Sequence, residues 1–103
     1  MYSVRHRHGE DSPRLDPAKF ASVLREVRTK DAEHPDVSLR HESGWCLSYF
    51  HGGLMVFENV EEGTDVWHAR NVDEERALAL WKHLTHGDVA SVKNGERWLP
   101  GYR

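Results

Sequence analysis

The stretch from Gly44 to Val72 limits what this chain can fold into more than any other. It reads Gly-Trp-Cys-Leu-Ser-Tyr-Phe, then His51-Gly52-Gly53, then Leu-Met-Val-Phe-Glu-Asn-Val, an acidic turn Glu61-Glu62-Gly63-Thr64-Asp65, and Val-Trp-His-Ala-Arg-Asn-Val. Short aromatic and β-branched runs with glycine-bearing breaks between them predict three consecutive antiparallel strands. Trp45, Leu47 and Tyr49 fall on one face of the first run, with Cys46, Ser48 and Phe50 on the other. His51-Gly52-Gly53 tolerates positive φ and can turn the chain back. On the returning run Met55 and Phe57 share one face and Leu54, Val56 and Glu58 the other, so apolar residues on both faces predict a central strand.

The flanking segments must cover that meander. Val37, Leu39 and His41 alternate with Ser38, Arg40 and Glu42, giving a short strand just before it. Tyr2 to His8 alternates in the same way and predicts an edge strand, followed by a loop over Gly9 to Leu15; a flexible basic arm is the alternative for this segment. Asp16-Pro17 is a helix start, because an aspartate accepts hydrogen bonds from free amides and proline supplies the helical φ. Phe20, Val23, Leu24 and Val27 then form an apolar stripe, and Pro35 ends the helix near Lys30 to Glu33. A second helix begins after Val72, where Asn71 and Glu74 fit a capping box. Its buried stripe is Ala77, Leu80, Trp81 and Leu84, widened by Leu78, and Gly87 stops it. Asp88 can cap one further turn through Val92, and Arg97 to Tyr102 is apolar enough to fold back on the body.

The resulting expectation is an α+β fold in which an antiparallel sheet of four to five strands carries two α-helices on one face. The length of 103 residues suits one domain spanning the chain, with residues 1–15 as an edge strand plus loop. Net charge is −3 and lies unevenly: residues 1–30 hold seven Lys/Arg against four acids, and the remainder seven against thirteen. An acidic body argues against direct nucleic-acid binding, which needs a dense basic face. One cysteine cannot form an internal disulfide, and no run reaches the ~20 apolar residues that cross a bilayer, so a cytoplasmic protein with no membrane attachment is expected. The opening residues Met-Tyr-Ser-Val-Arg-His-Arg-His also lack the apolar run of a signal peptide.

Candidate chemistry is sparse. Cys46 with His41, His51 or His68 is the one possible thiol–imidazole arrangement, but a mid-strand cysteine between Trp45 and Leu47 reads as a small packed residue. The pairs His6/His8 and His83/His86 could each face a metal, yet neither has a further ligand at a recognised spacing, and no metal or other cofactor is expected. There is no phosphate-binding glycine loop and no nucleophile elbow. Glu58, Glu61, Glu62 and Asp65 cluster at a turn, where the ordinary reading is a solvated acidic surface. The functional alternative is a docking surface for a basic partner, in which Trp67 and His68 join the acids as anchor and neighbour. Trp45, Trp81 and Trp98 are expected in the core and Trp67 at the surface.

These features describe a non-catalytic protein-binding module better than an enzyme. The run from Gly44-Trp45 through Phe57-Glu58-Asn59-Val60, the helix Ala77-Leu78-Ala79-Leu80-Trp81 ending at Gly87-Asp88, and the closing Trp98-Leu99-Pro100-Gly101-Tyr102 resemble small bacterial immunity proteins of polymorphic or contact-dependent growth-inhibition toxin systems. The resemblance covers residues 37–102 in general style. It implies tight complex formation with a cognate toxin, often a nuclease, by covering its active site or blocking its substrate; the chain itself is expected to be a monomer or weak homodimer. Glu58, Glu61, Glu62, Asp65, Trp67 and His68 would then meet a basic toxin surface. A self-associating structural or regulatory subunit, pairing through the Tyr2 to His8 strand, is the alternative, and a small metal-dependent or thiol enzyme ranks last.

Overall fold

The computed structural model describes residues 1–63 and 65–103. Within them the meander forms as expected: β3 (Asp36–His41), β4 (Trp45–Phe50), β5 (Met55–Asn59) and β6 (Val66–Ala69) pair antiparallel with their neighbours in turn. The sheet is wider than four to five strands, however. β1 (Tyr2–Arg5), β2 (Asp11–Pro13) and β7 (Leu99–Pro100) bring the described sheet to seven, in the order β2-β1-β3-β4-β5-β6-β7.

The two extra strands escape a periodicity test because they are three and two residues long. β2 forms because the chain reverses after β1 through His6 to Glu10 (His6 N to Glu10 O 2.8 Å, Gly9 N to His6 O 3.0 Å), so the segment expected to be loop lies back along β1. β1 is therefore not an edge: it lies between β2 and β3, and Val4 is fully buried. Edge-to-edge self-association through Tyr2 to His8 loses its free backbone groups, and the outer strand β2 ends in Pro13, which has no N–H to offer.

Helix α1 (Phe20–Leu24) is flanked by 3-10 turns at Pro17–Lys19 and Arg25–Arg28 and ends earlier than Lys30. Asp16 caps it as expected, its carboxylate accepting from Ala18 N at 3.0 Å. The early tightening has a visible partner in Arg7. Its guanidinium donates to the carbonyls of Glu26, Thr29 and His34, meeting acceptors that a helix end leaves free. α2 (Glu74–Thr85) carries the expected buried stripe of Ala77, Leu80, Trp81 and Leu84. Its cap is Asp73 rather than Asn71: Asp73 Oδ1 accepts from Arg76 N at 2.8 Å, whereas Asn71 sits at φ 56° in the left-handed region, unsuited to the extended geometry of a cap. Asp73→Ala is expected to cost about 0.5–2 kcal/mol in denaturant unfolding, while Asn71→Ala acts through backbone strain instead.

α2 closes at Gly87 (φ 69°), where Gly87 N meets Leu84 O at 2.9 Å and Asp88 N meets His83 O at 3.1 Å, the paired bonds of a Schellman end. Asp88 then starts α3 (Val89–Asn94), a third helix where the sequence predicts only a further turn. The stripes of α1 and α2, with Val92 of α3, bury against Val4, Val37, Leu39, Leu47, Tyr49, Met55, Phe57 and Ala69, all on one pleat face. Trp81 is the hub. It meets Phe20 edge-on at 5.6 Å and donates its indole N–H to Leu47 O at 3.2 Å.

Candidate protein-docking site

The acidic turn after β5 is built on one buried amide. Asn59 is 3% exposed; its side-chain oxygen accepts from Glu61 N (3.1 Å) and Glu62 N (3.0 Å), and its NH2 donates to Ser43 O (3.3 Å). That pins the β5–β6 turn against the β3–β4 turn, where Gly44 at φ +91° leaves room for it. A Cβ on Gly44 would stand 2.6 Å from Asn59 Oδ1 and 3.0 Å from Glu61 Cβ. Glu61, Glu62 and Asp65 are left exposed, with Glu61 reaching Arg40 at 3.8 Å; Thr64 lies outside the described residues.

The six residues expected to act together do not share one surface. Alternation puts Glu58 and His68 on the helix-free face of the sheet and Trp67, opposite Phe57, on the helix-covered face. The charge of Glu58, together with the hydrogen bond it accepts from the Tyr102 hydroxyl at 3.1 Å, raises the Tyr102 phenol above its ordinary pKa. His68 is 5% exposed and donates Nδ1–H to Gly101 O at 3.0 Å, since a carbonyl can only accept. The expectation that His68 presents itself to a partner is thereby corrected: the C-terminal segment covers it. Glu61, Glu62, Asp65 and Trp67 remain at one end of the sheet, with Glu58 beside them on the other face.

The aromatic neighbours of Trp67 are those the sequence assigned to the core. Trp81 is buried, and Trp45 and Trp98 are partly buried and pack against the core, as does Trp67, which the sequence placed at the surface. Trp45 stacks on Phe57 at 4.5 Å, Trp98 lies 5.5 Å from Phe57 and donates to Val92 O at 2.9 Å, and Lys93 Nζ stands 5.4 Å above the Trp45 ring. Phe57, Trp67, Lys93 and Trp98 line a cleft of about 200 Å³. The apolar closing run Arg97 to Tyr102 is the one sequence signal for this cluster, because its return beside β6 carries Trp98 there.

The helix-free face is polar at its β1–β3 end and apolar towards the β4–β5 hairpin. Ser3, Arg5, Asp11, Ser38, Arg40, Cys46 and Val60 line a depression of about 380 Å³. Phe50, Leu54, Val56 and Tyr102, with Lys30, Asp31, Ala32 and Pro35 alongside, line another of about 570 Å³. Cys46 is buried in this face, and burial pushes its thiol pKa up, which opposes the thiolate a nucleophile needs. Asp36, half-buried here, is likewise raised by burial, against the lowering pull of Arg5. An ionised carboxylate at that site opposes folding, so Asp36→Asn is expected to raise Tm at pH 7. The gain should shrink as pH falls through the raised pKa and vanish below the ordinary aspartate range; a gain that persists at acid pH would mean a packing effect.

His6 and His8 are drawn to different partners, while His83 and His86 stay together at the end of α2. His6 and His8 lie beyond the end of β1; the His6 ring contacts Glu26 (3.0 Å) and Ser12 (2.9 Å), while His8 meets His34 edge-on at 4.5 Å. His41 bonds Ser43, and His51 donates to Val27 O at 2.9 Å. Among the described residues no group of three or more His, Cys, Asp or Glu is placed to hold a metal ion, and no helix is long and apolar enough to cross a membrane.

The class is thus an α+β protein whose single antiparallel sheet has helices on one face and an acidic, tryptophan-flanked turn at one end. Compared with known protein families, characterised proteins and solved structures, the chain finds no match.

Proposed function

We propose that this chain is a non-catalytic protein-binding module acting in the cytoplasm as an immunity protein, and that it neutralises a cognate basic toxin by tight complex formation. The observation that carries this reading is the exposed acidic turn of Glu61, Glu62 and Asp65, which leads directly into the strand carrying partly buried Trp67. Clustered carboxylates accelerate encounter with a basic surface, and partly exposed tryptophans supply the desolvated anchors that carry binding energy. The raised Cys46 pKa adds weight against thiol catalysis.

The test is purification of a tagged copy from the source cell at moderate salt. A stoichiometric basic protein is expected, one that arrests growth when expressed alone and is silenced by co-expression of this chain. Recovery of the chain alone, or of a partner that is harmless without it, overturns the reading. Recovery only with itself would favour the self-associating subunit.

A further inference from the structure

We propose that Ser12 is an activated nucleophile, a covalent acceptor for one acyl group from an activated ester or thioester. This goes beyond the binding-module reading above, and the site lies at the end of the strands away from the acidic turn. Three segments of chain converge on it. The His6 ring, just past β1, places Nε2 2.9 Å from Ser12 Oγ in β2 and Nδ1 3.0 Å from Glu26 Oε2 in the 3-10 turn after α1. A hydroxyl within hydrogen-bond reach of a base that a third group orients is the arrangement that makes a serine reactive.

The chemistry of the donors and acceptors assigns each role. An ionised carboxylate can only accept, so in the neutral imidazole Nδ1 carries the proton and Nε2 is left to accept from the Ser12 hydroxyl. Glu26 is itself held in place: its Oε1 accepts from Arg7 N at 3.0 Å, and the Arg7 guanidinium donates to the Glu26 carbonyl. The relay stays within reach of solvent. His6 is 24% and Glu26 32% exposed, and Ser12 is partly exposed on the outermost strand. A second serine–histidine contact shows what the third group adds. His41 Nδ1 lies 2.8 Å from Ser43 Oγ, but it also accepts from Ser43 N at 3.1 Å, and among the described residues no carboxylate hydrogen-bonds the far side of that ring.

In the reaction Ser12 Oγ bonds to the acyl carbon while its proton passes to His6 Nε2. The bond from that carbon to the leaving group then breaks, the proton goes to the departing alcohol or thiol, and Ser12 is left as an ester; Glu26 stabilises the imidazolium between the two transfers. Nothing is oxidised or reduced.

The test treats the full chain with p-nitrophenyl acetate near neutral pH, following nitrophenolate release and mapping the acetyl group by peptide mass. One acetyl group on Ser12 is expected, and Ser12→Ala should remove it. His6→Gln should slow it at least about a hundredfold, the contribution of a positioned base. Glu26→Gln, which keeps the shape and serves should His6→Gln not fold, should slow it at least about tenfold and move the His6 proton from Nδ1 to Nε2 in the imidazole nitrogen spectrum, with the amide spectrum unchanged elsewhere.

Acetylation confined to amines, or reaching Ser43 as fast as Ser12, overturns the proposal, and so does a Ser12 rate that His6→Gln and Glu26→Gln leave unchanged. Release that continues past the first equivalent and is lost in Ser12→Ala supports the nucleophile and overturns the non-catalytic reading instead. Toxin neutralisation is read from growth, so the acceptor site and the immunity reading fail separately.

Discussion

Replacing Trp81 with alanine is expected to cost about 3–5 kcal/mol, the range for truncating a buried aromatic. Trp81 is fully buried and touches both layers, meeting Phe20 of α1 edge-on and donating its indole N–H to Leu47 O in β4. The substitution opens a cavity between helix and sheet and also leaves that carbonyl without its indole donor. Against a total stability of roughly 5–15 kcal/mol, the variant should be partly unfolded at 37 °C. At roughly 4–8 °C per kcal/mol for a domain near this size, Tm should fall by more than about 12 °C. Circular dichroism melting measures it, with Trp98→Ala as the comparison. Trp98 is only partly buried at the edge of the core, so its loss should cost less. If both variants melt together, the interior is not organised around Trp81.

The second large effect concerns association. Converting Glu58, Glu61 and Glu62 to Gln and Asp65 to Asn in one chain removes four negative charges with little change in shape. Steered association of oppositely charged proteins runs far above the neutral rate of about 10⁵–10⁶ M⁻¹s⁻¹, so kon for the basic partner should fall about ten- to a hundredfold at low salt. The remaining rate should depend only weakly on ionic strength, because the steering term is the one that salt screens. Glu58 also accepts from Tyr102, so Glu61→Gln/Glu62→Gln/Asp65→Asn is the companion variant that leaves the C-terminal segment's contact intact. Stopped-flow kinetics across a salt series separates these outcomes. An unchanged rate would move the interface to the helix-free face, where Arg5, Arg40 and the Phe50–Val56–Tyr102 depression lie.

The reach of the sequence differs between elements for physical reasons. The meander was readable because each strand is a four- to six-residue aromatic or β-branched run bounded by glycine-bearing or acidic breaks, and the α2 stripe because Ala77, Leu80, Trp81 and Leu84 repeat at helical spacing. Local capping chemistry was readable at Asp16 and Asp88, whose carboxylates bond amides two and three residues on. At Asn71 the same reasoning chose the wrong residue, since two candidate caps lay within three positions and the backbone entering from Val72 allows extended geometry only at Asp73.

The docking residues show the other limit. Sequence proximity grouped Trp67 with His68, but the pleat sends them to opposite faces. His68 is then buried by a segment 33 residues further on, through a carbonyl that no local pattern could anticipate. The gathering of Trp45, Trp67, Lys93 and Trp98 is likewise the work of strand register and chain return.

By itself, then, the sequence determined the class of fold, the central meander, the helical stripes and the acidic turn, because periodicity and capping act over one or a few turns of chain. Only the tertiary structure decided that β1 is internal, that β2 and β7 close the sheet, and that an aromatic cleft rather than His68 stands beside the acids. Those outcomes depend on backbone hydrogen bonds and contacts between residues distant in the chain, which carry no residue-type signature.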